Sequence, residues 1–166
     1  MSRHDNAELK KFLAFYPEKV AELFTWLREF VWDRFPKTNE LIYDNYNALA
    51  VGWSITDRLS HTICSIAAFS EFVHFGFYWG ADISDPKKIL LGKGKQYRYI
   101  VVRDKKDFPI TYINKLLKEA YANSLAKVKA TDQFPTSSTI VKCSLARKRR
   151  PGGLIPIKKK KSKSII

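Results

Sequence analysis

Cysteine is scarce in this chain. Only Cys64 and Cys143 occur in 166 residues, which excludes the disulfide framework of a small secreted domain and predicts free thiols in a reducing compartment, with the cytoplasm as the default. Long apolar runs are missing as well. No stretch without Asp, Glu, Lys or Arg exceeds that of Leu59 to Ser70, which contains serines and a histidine and falls short of the ~20 apolar residues a membrane helix needs. The first residues, Met1-Ser2-Arg3-His4-Asp5-Asn6, are polar, so the apolar segment of a secretory signal is lacking and no export is indicated. Neither a membrane span nor an internal repeat is expected. Acid disappears beyond residue 141: ten Lys or Arg stand there unopposed, while residues 1–141 hold the other 20 against all 16 Asp and Glu.

What is present is core-forming material. Apolar residues make up 45% of the chain and aromatic residues 14%, which at this length predicts one folded domain with a sizeable core and excludes a multidomain enzyme. The end of the chain is different. Arg147-Lys148-Arg149-Arg150, then Pro151-Gly152-Gly153, then Lys158-Lys159-Lys160-Lys161 repel one another and offer little to bury, so residues 146–166 are expected to form a disordered basic tail. Each of these eight cations that neutralises a phosphate releases condensed counterions, which makes them candidates for weak, sequence-independent contact with nucleic acid or another polyanion. A solubilising extension is the alternative, since no helix-turn-helix or RNA-binding motif accompanies the charge.

The organisation of residues 8–145 follows from a change of period. Residues 8–16 read as a turn or two of helix, and Pro17 suits the opening of a second helix over about 17–34. On that helix Val20, Leu23, Phe24, Leu27, Phe30 and Val31 share one side, and Glu18, Glu22, Glu29 and Asp33 fall in an arc opposite, with Lys19 and Arg28 interspersed. From Leu41 onward the pattern becomes short runs rich in β-branched and aromatic residues, 41–46, 48–53, 61–69, 72–79 and 97–103. Ser70-Glu71 is a tight break that predicts a hairpin between 61–69 and 72–79. Phe108-Pro109 opens a last helix of about 110–126, and Thr139 to Cys143 is a candidate edge strand. Helices at the ends and strands in the middle predict an α+β domain: an antiparallel β-sheet flanked by N-terminal and C-terminal helices in two layers.

Four motifs in order then become recognisable: Tyr43-Asp44-Asn45-Tyr46-Asn47-Ala48-Leu49, Gly80-Ala81-Asp82-Ile83-Ser84-Asp85-Pro86, Gly92-Lys93-Gly94-Lys95-Gln96-Tyr97-Arg98, and Ile140-Val141-Lys142-Cys143-Ser144. Together they resemble the YdhG-like domain family over roughly residues 20–150. The resemblance implies a compact α+β domain of undefined biochemical role, some members of the family being described as frataxin-like iron chaperones. Phe72 and Leu91 stand where the family pattern more often has a histidine and an acid, which weakens a metal reading at those positions.

Each group of chemically suggestive residues has a functional and a structural reading. Glu18, Glu22, Glu29 and Asp33 would suit iron or calcium if they converged, and are otherwise a solvated helix face. His61, Cys64 and His74 are zinc-ligand types, but a hairpin at Ser70-Glu71 sets His74 opposite Ile66 or Ala67, ~17–20 Å from His61 at ~3.3 Å per residue. Gly92-Lys93-Gly94-Lys95 is followed by Gln96 and a strand rather than by Lys-Ser or Lys-Thr and a helix, so it is no P-loop. It is either a glycine turn or, through Lys93, Lys95 and Arg98, an anion contact. In Tyr43-Asp44-Asn45-Tyr46-Asn47, the Asx side chains make a turn, or Asp44 and Asn47 orient a ligand against Tyr43 or Tyr46. Within 72–79, Phe72, His74, Gly76 and Tyr78 share one strand face, which is an exposed binding face, a dimer interface or a second core layer under the last helix. No nucleophile stands beside a base and an orienting group, so the reading leans against an enzyme. The function expected is a cytoplasmic, non-enzymatic binding module without a cofactor. Its partner is a small ligand or a protein, met by segments 43–47 and 92–98; iron delivery by the acidic arc and polyanion binding by the tail are the alternatives.

Overall fold

The structure, a computed structural model, describes residues 5–132, 137–149 and 151. Two helices come first, α1 (Ala7–Leu13) and α2 (Glu18–Arg34), followed by strands β1 (Asn39–Asp44), β2 (Leu49–Ser54), β3 (Thr62–Ala68), β4 (Val73–Phe77) and β5 (Arg98–Val102), then helix α3 (Ile110–Leu125) and strand β6 (Thr139–Ser144). Pro17 is the N-cap of α2, and the helix stops at Phe35 before Pro36, since a residue preceding proline is pushed out of the helical region. Pro109 stands in the same place before α3.

The strands form one sheet in the order β5-β4-β3-β2-β1-β6. The first five make an antiparallel meander; the connections 45–48, 55–61 and 69–72 are too short for a crossover, and the longer one, 78–97, also returns antiparallel. The β3–β4 hairpin turns at Ser70-Glu71, with the Phe69 N–H donating to the Phe72 carbonyl at 2.9 Å. β6 departs from the antiparallel expectation: it returns after α3 and pairs parallel with β1, so the sheet is mixed at that edge. The physical reason is the helix itself, whose length carries the chain back to the end of the sheet from which β1 starts.

All three helices cover one face. Leu27, Phe30 and Val31 of α2, with Ile113, Leu116 and Ala120 of α3, bury against Leu49, Val51, Trp53, Ile66, Phe75 and Val102. The Phe30 ring meets Phe75 edge-on at 6.2 Å and Phe108 at 5.0 Å. Burial of apolar side chains of this size stabilises by roughly 1.5–3 kcal/mol each, so this layer carries the fold. The Arg28 and Glu40 charges inside it are paired. Glu40, fully buried on β1, accepts from Arg28 Nε at 2.6 Å, Arg28 Nη2 at 3.0 Å, Trp32 Nε1 at 3.1 Å and Thr139 Oγ1 at 3.0 Å. Arg28, read from sequence as part of the solvent side of α2, is thus 3% exposed; it lies one turn from both Phe24 and Trp32 and joins their buried row.

Among the described residues the opposite face carries no helix. By register, Leu41, Ala50, Gly52, Ser65, Ala67 and Gly76 lie on it toward the centre, and His74 and Tyr99 toward the β5 edge. Because α3 packs beside α2 rather than over this face, Phe72, His74 and Tyr78 do not become a second core layer beneath the last helix. Among the described residues no helix is long and apolar enough to cross a membrane.

Candidate functional site

The acidic arc does not converge. Glu18, Glu22, Glu29 and Asp33 are all exposed on α2. The first three border a shallow cleft of about 640 Å³ that Lys10, Trp26 and Lys105 also line, whereas Asp33 borders a different cleft of about 810 Å³ with Arg34, Tyr121 and Leu117. Among the described residues no three His, Cys, Asp or Glu side chains are grouped to hold a metal.

Segments 43–47 and 92–98 do not meet either. β1 and β5 are separated by three intervening strands, hence by about 19 Å at ~4.8 Å per strand. Residues 43–47 also lie at the end of β1 that pairs with Leu49, while residue 98 lies level with Phe77 at the other end. They occupy diagonal corners and cannot line one pocket.

At the first corner the chain binds itself. Asp44 faces the helices, fully buried, and its carboxylate is paired with the ammonium of Lys148 and accepts from Ser144 Oγ at 2.7 Å. The Arg149 N–H donates to the Tyr46 carbonyl at 2.8 Å and the Leu145 N–H to the Asp44 carbonyl at 3.0 Å. The packed chain therefore continues past the expected boundary at 145/146, and Lys148, expected in a disordered tail, is a partly buried partner whose pKa burial lowers. Arg147 and Arg149 are exposed. Arg150, Lys158, Lys159, Lys160 and Lys161, the other tail candidates, lie outside the described residues. Tyr43 points to the helix-free face, where burial and then the neighbouring Tyr78 and Cys143 raise its pKa; Tyr46 and Asn47 are exposed.

The second corner opens onto a row of rings. Along β4 and β5, on the helix-free face, Phe72 and His74 stack at 5.2 Å with 22° between planes, His74 and Tyr99 at 4.2 Å with 17°, and Tyr99 and Tyr97 at 5.7 Å with 18°. Phe69 joins at the hairpin, 4.5 Å from His74 and 5.1 Å from Phe72. Offset stacking of this kind adds about 0.5–1.5 kcal/mol per pair beyond area burial. All five side chains are only partly buried. Burial lowers the pKa of His74, which favours the neutral ring.

Tyr97 shows how the row is seated. The phenol end of its ring lies over Gly76, where a Cβ would come within 2.1 Å of the phenol oxygen, and its hydroxyl reaches Ser65 on β3, with burial lifting its pKa to about 12. Cations stand at both ends. Arg103 holds its guanidinium carbon 5.0 Å from the centre of the Phe72 ring. At the Tyr97 end Lys93 and Lys95 are exposed on the 92–98 loop, where Gly92 takes φ +127° as the glycine turn requires. Arg98 is spent on the loop, its Nη1 donating to the carbonyls of Gly94 at 2.7 Å and Tyr97 at 2.8 Å. The alternations Tyr97-x-Tyr99 and Phe72-x-His74 were the sequence signal for this array, and they need the β4–β5 register, which sets Tyr99 opposite Gly76, to be read together.

Two further polar groups prove to be structural. Asp85, in the second family-like motif, accepts from Tyr112 Oη at 2.5 Å and from the Leu90 N–H at 2.8 Å; burial would raise its pKa, but these bonds hold it below the usual carboxylate range. His61 Nδ1 lies 2.7 Å from Thr56 Oγ1, and its Nε2 is 4.0 Å from Asp132. Although Thr, His and Asp in that order suggest a relay, Thr56 is 1% exposed and no substrate can reach its hydroxyl.

No family model matches the chain, and neither a curated protein nor a solved structure is found similar to it.

Proposed function

We propose that this protein is a non-enzymatic, cytoplasmic binding module, of the undefined biochemical type that a YdhG-like domain implies, and that its ligand surface is the helix-free face of β4 and β5 with the 92–98 loop. The observation that carries the reading is the stacked row Phe72, His74, Tyr99 and Tyr97, partly exposed on a face that no helix among the described residues covers. Rings of this size are ordinarily placed in a core, and their exposure beside Lys93 and Lys95 fits recognition better than packing. Segment 43–47 drops out as a ligand site, since Lys148 of the same chain already engages Asp44.

A thermal-shift screen tests this, because a ligand that binds only the folded state raises the melting temperature whatever its class. Compounds that shift the native protein but not Tyr99→Leu support the surface. Equal shifts in both proteins by every active compound would place the binding elsewhere and sink the reading.

A further inference from the structure

Charge is concentrated along one margin of the helix-free face. Between residues 87 and 106 the chain carries eight lysines or arginines and a single acid, Asp104, whereas residues 1–141 as a whole are nearly balanced at 20 against 16. The ring row runs along this margin, with Arg103 over Phe72 at one end and the exposed Lys93 and Lys95 beyond Tyr97 at the other. From residue 97 to residue 103 an extended strand covers about 20 Å. That is the span of a polymer segment rather than of one small molecule.

We propose that this face binds single-stranded nucleic acid, with bases against the outward edges of Tyr99, His74 and Phe72 and phosphates at Arg103, Lys93 and Lys95. The inference deepens the proposed binding surface and rests on it. Charge complementarity selects a polyanion, and the aromatic row selects one that has rings. The rings of the row stack on one another, so unpaired bases meet their outward edges in edge-to-face contact, with little regard to sequence, while a basic border follows the backbone. A duplex hides its base faces and would use the cations alone.

The test is fluorescence anisotropy of labelled 12-nucleotide oligo(dT) and oligo(U), and of a duplex of equal length, on the full chain. A second full-length protein carrying Lys158→Gln, Lys159→Gln, Lys160→Gln and Lys161→Gln removes the four clustered charges near the chain end. In that background three phosphate contacts predict about 20-fold weaker binding between 50 and 200 mM salt. Tyr99→Leu should weaken it at least about fivefold while Tyr99→Phe preserves it, and Lys93→Glu with Lys95→Glu should weaken it and flatten the salt dependence. Unchanged melting temperatures establish that the variants fold.

Binding that disappears with the four tail lysines and ignores Tyr99 overturns the inference. So does equal binding of duplex, or of poly-glutamate, at the same face. If no oligonucleotide binds but the thermal-shift screen yields a Tyr99-dependent ligand of another class, the nucleic-acid inference fails and the binding surface stands.

Discussion

The two faces of this sheet are closed in different ways. On the covered face, large apolar side chains from α2 and α3 bury against β2, β3 and β4, and the buried cation Arg28 is matched by Glu40. On the other face the central positions are small, among them Ala50, Gly52 and Gly76, and the chain covers part of them with its own rings, as Tyr97 does across Gly76. A helix layer leaves nothing to recognise. Rings stacked in a row along a sheet leave their edges open to a partner, at the cost of a less complete seal.

The contrast is broken most severely on the covered side. Arg28→Met strands the Glu40 carboxylate in the core and should remove about 3–5 kcal/mol of stability in urea unfolding, while adding Glu40→Leu should restore most of it, because an apolar pair can replace a buried ion pair. A double variant as unstable as the single one would show that the charge itself is needed.

Gly76→Ala probes the open side. The new Cβ cannot coexist with the Tyr97 ring in place, so the ring must leave, and about 1–3 kcal/mol should be lost. Absorbance titration should show a phenol that ionised at about 12 moving down toward the ordinary ~10. A high-titrating tyrosine that survived the substitution would mean that Gly76 does not seat it.

Lys148→Met tests the corner where the chain end meets the covered face. It removes a charged hydrogen-bond donor from buried Asp44 and should cost about 1.5–3 kcal/mol. Faster tryptic cleavage at Arg147 and Arg149 would report the freed segment.

The smallest effect belongs to His74. Burial lowers its pKa, so below its ordinary value near ~6.5 the unfolded chain holds more protons than the folded one. The stability it contributes is therefore complete above about pH 6.5 and falls as the pH drops through that value toward the lowered one. His74→Gln should flatten this part of the stability profile; a profile unchanged by the substitution would assign the acid sensitivity to other groups.

Much of the fold could be read from local pattern, and for a physical reason. The 3.6 period of 17–34 and the tight break at Ser70-Glu71 are local, and both helices and the hairpin appear where they were expected. The charged pairs were hidden. Glu40 and Arg28 sit on different elements, and nothing near either residue signals that the other neutralises it. β6 was expected as an edge strand, but its parallel sense depends on where α3 delivers the chain. The candidate site was half legible: Phe72 and His74 were set on one strand face, yet Tyr97, Tyr99 and Arg103 join them only through the β4–β5 register. The separation of 43–47 from 92–98 was available from the meander itself, since each hairpin moves the chain one strand further from β1.

The late return of β6 has a consequence for how the molecule is made. Thr139 and Glu40 are 99 residues apart, and closing so long a loop is among the slower and entropically costlier steps of folding. During synthesis β1 must wait beside an unpaired edge until everything through Ser144 has left the ribosome, and Asp44 must wait longer still for Lys148. Nascent chains paused after α3 should therefore be the species most prone to edge-to-edge association.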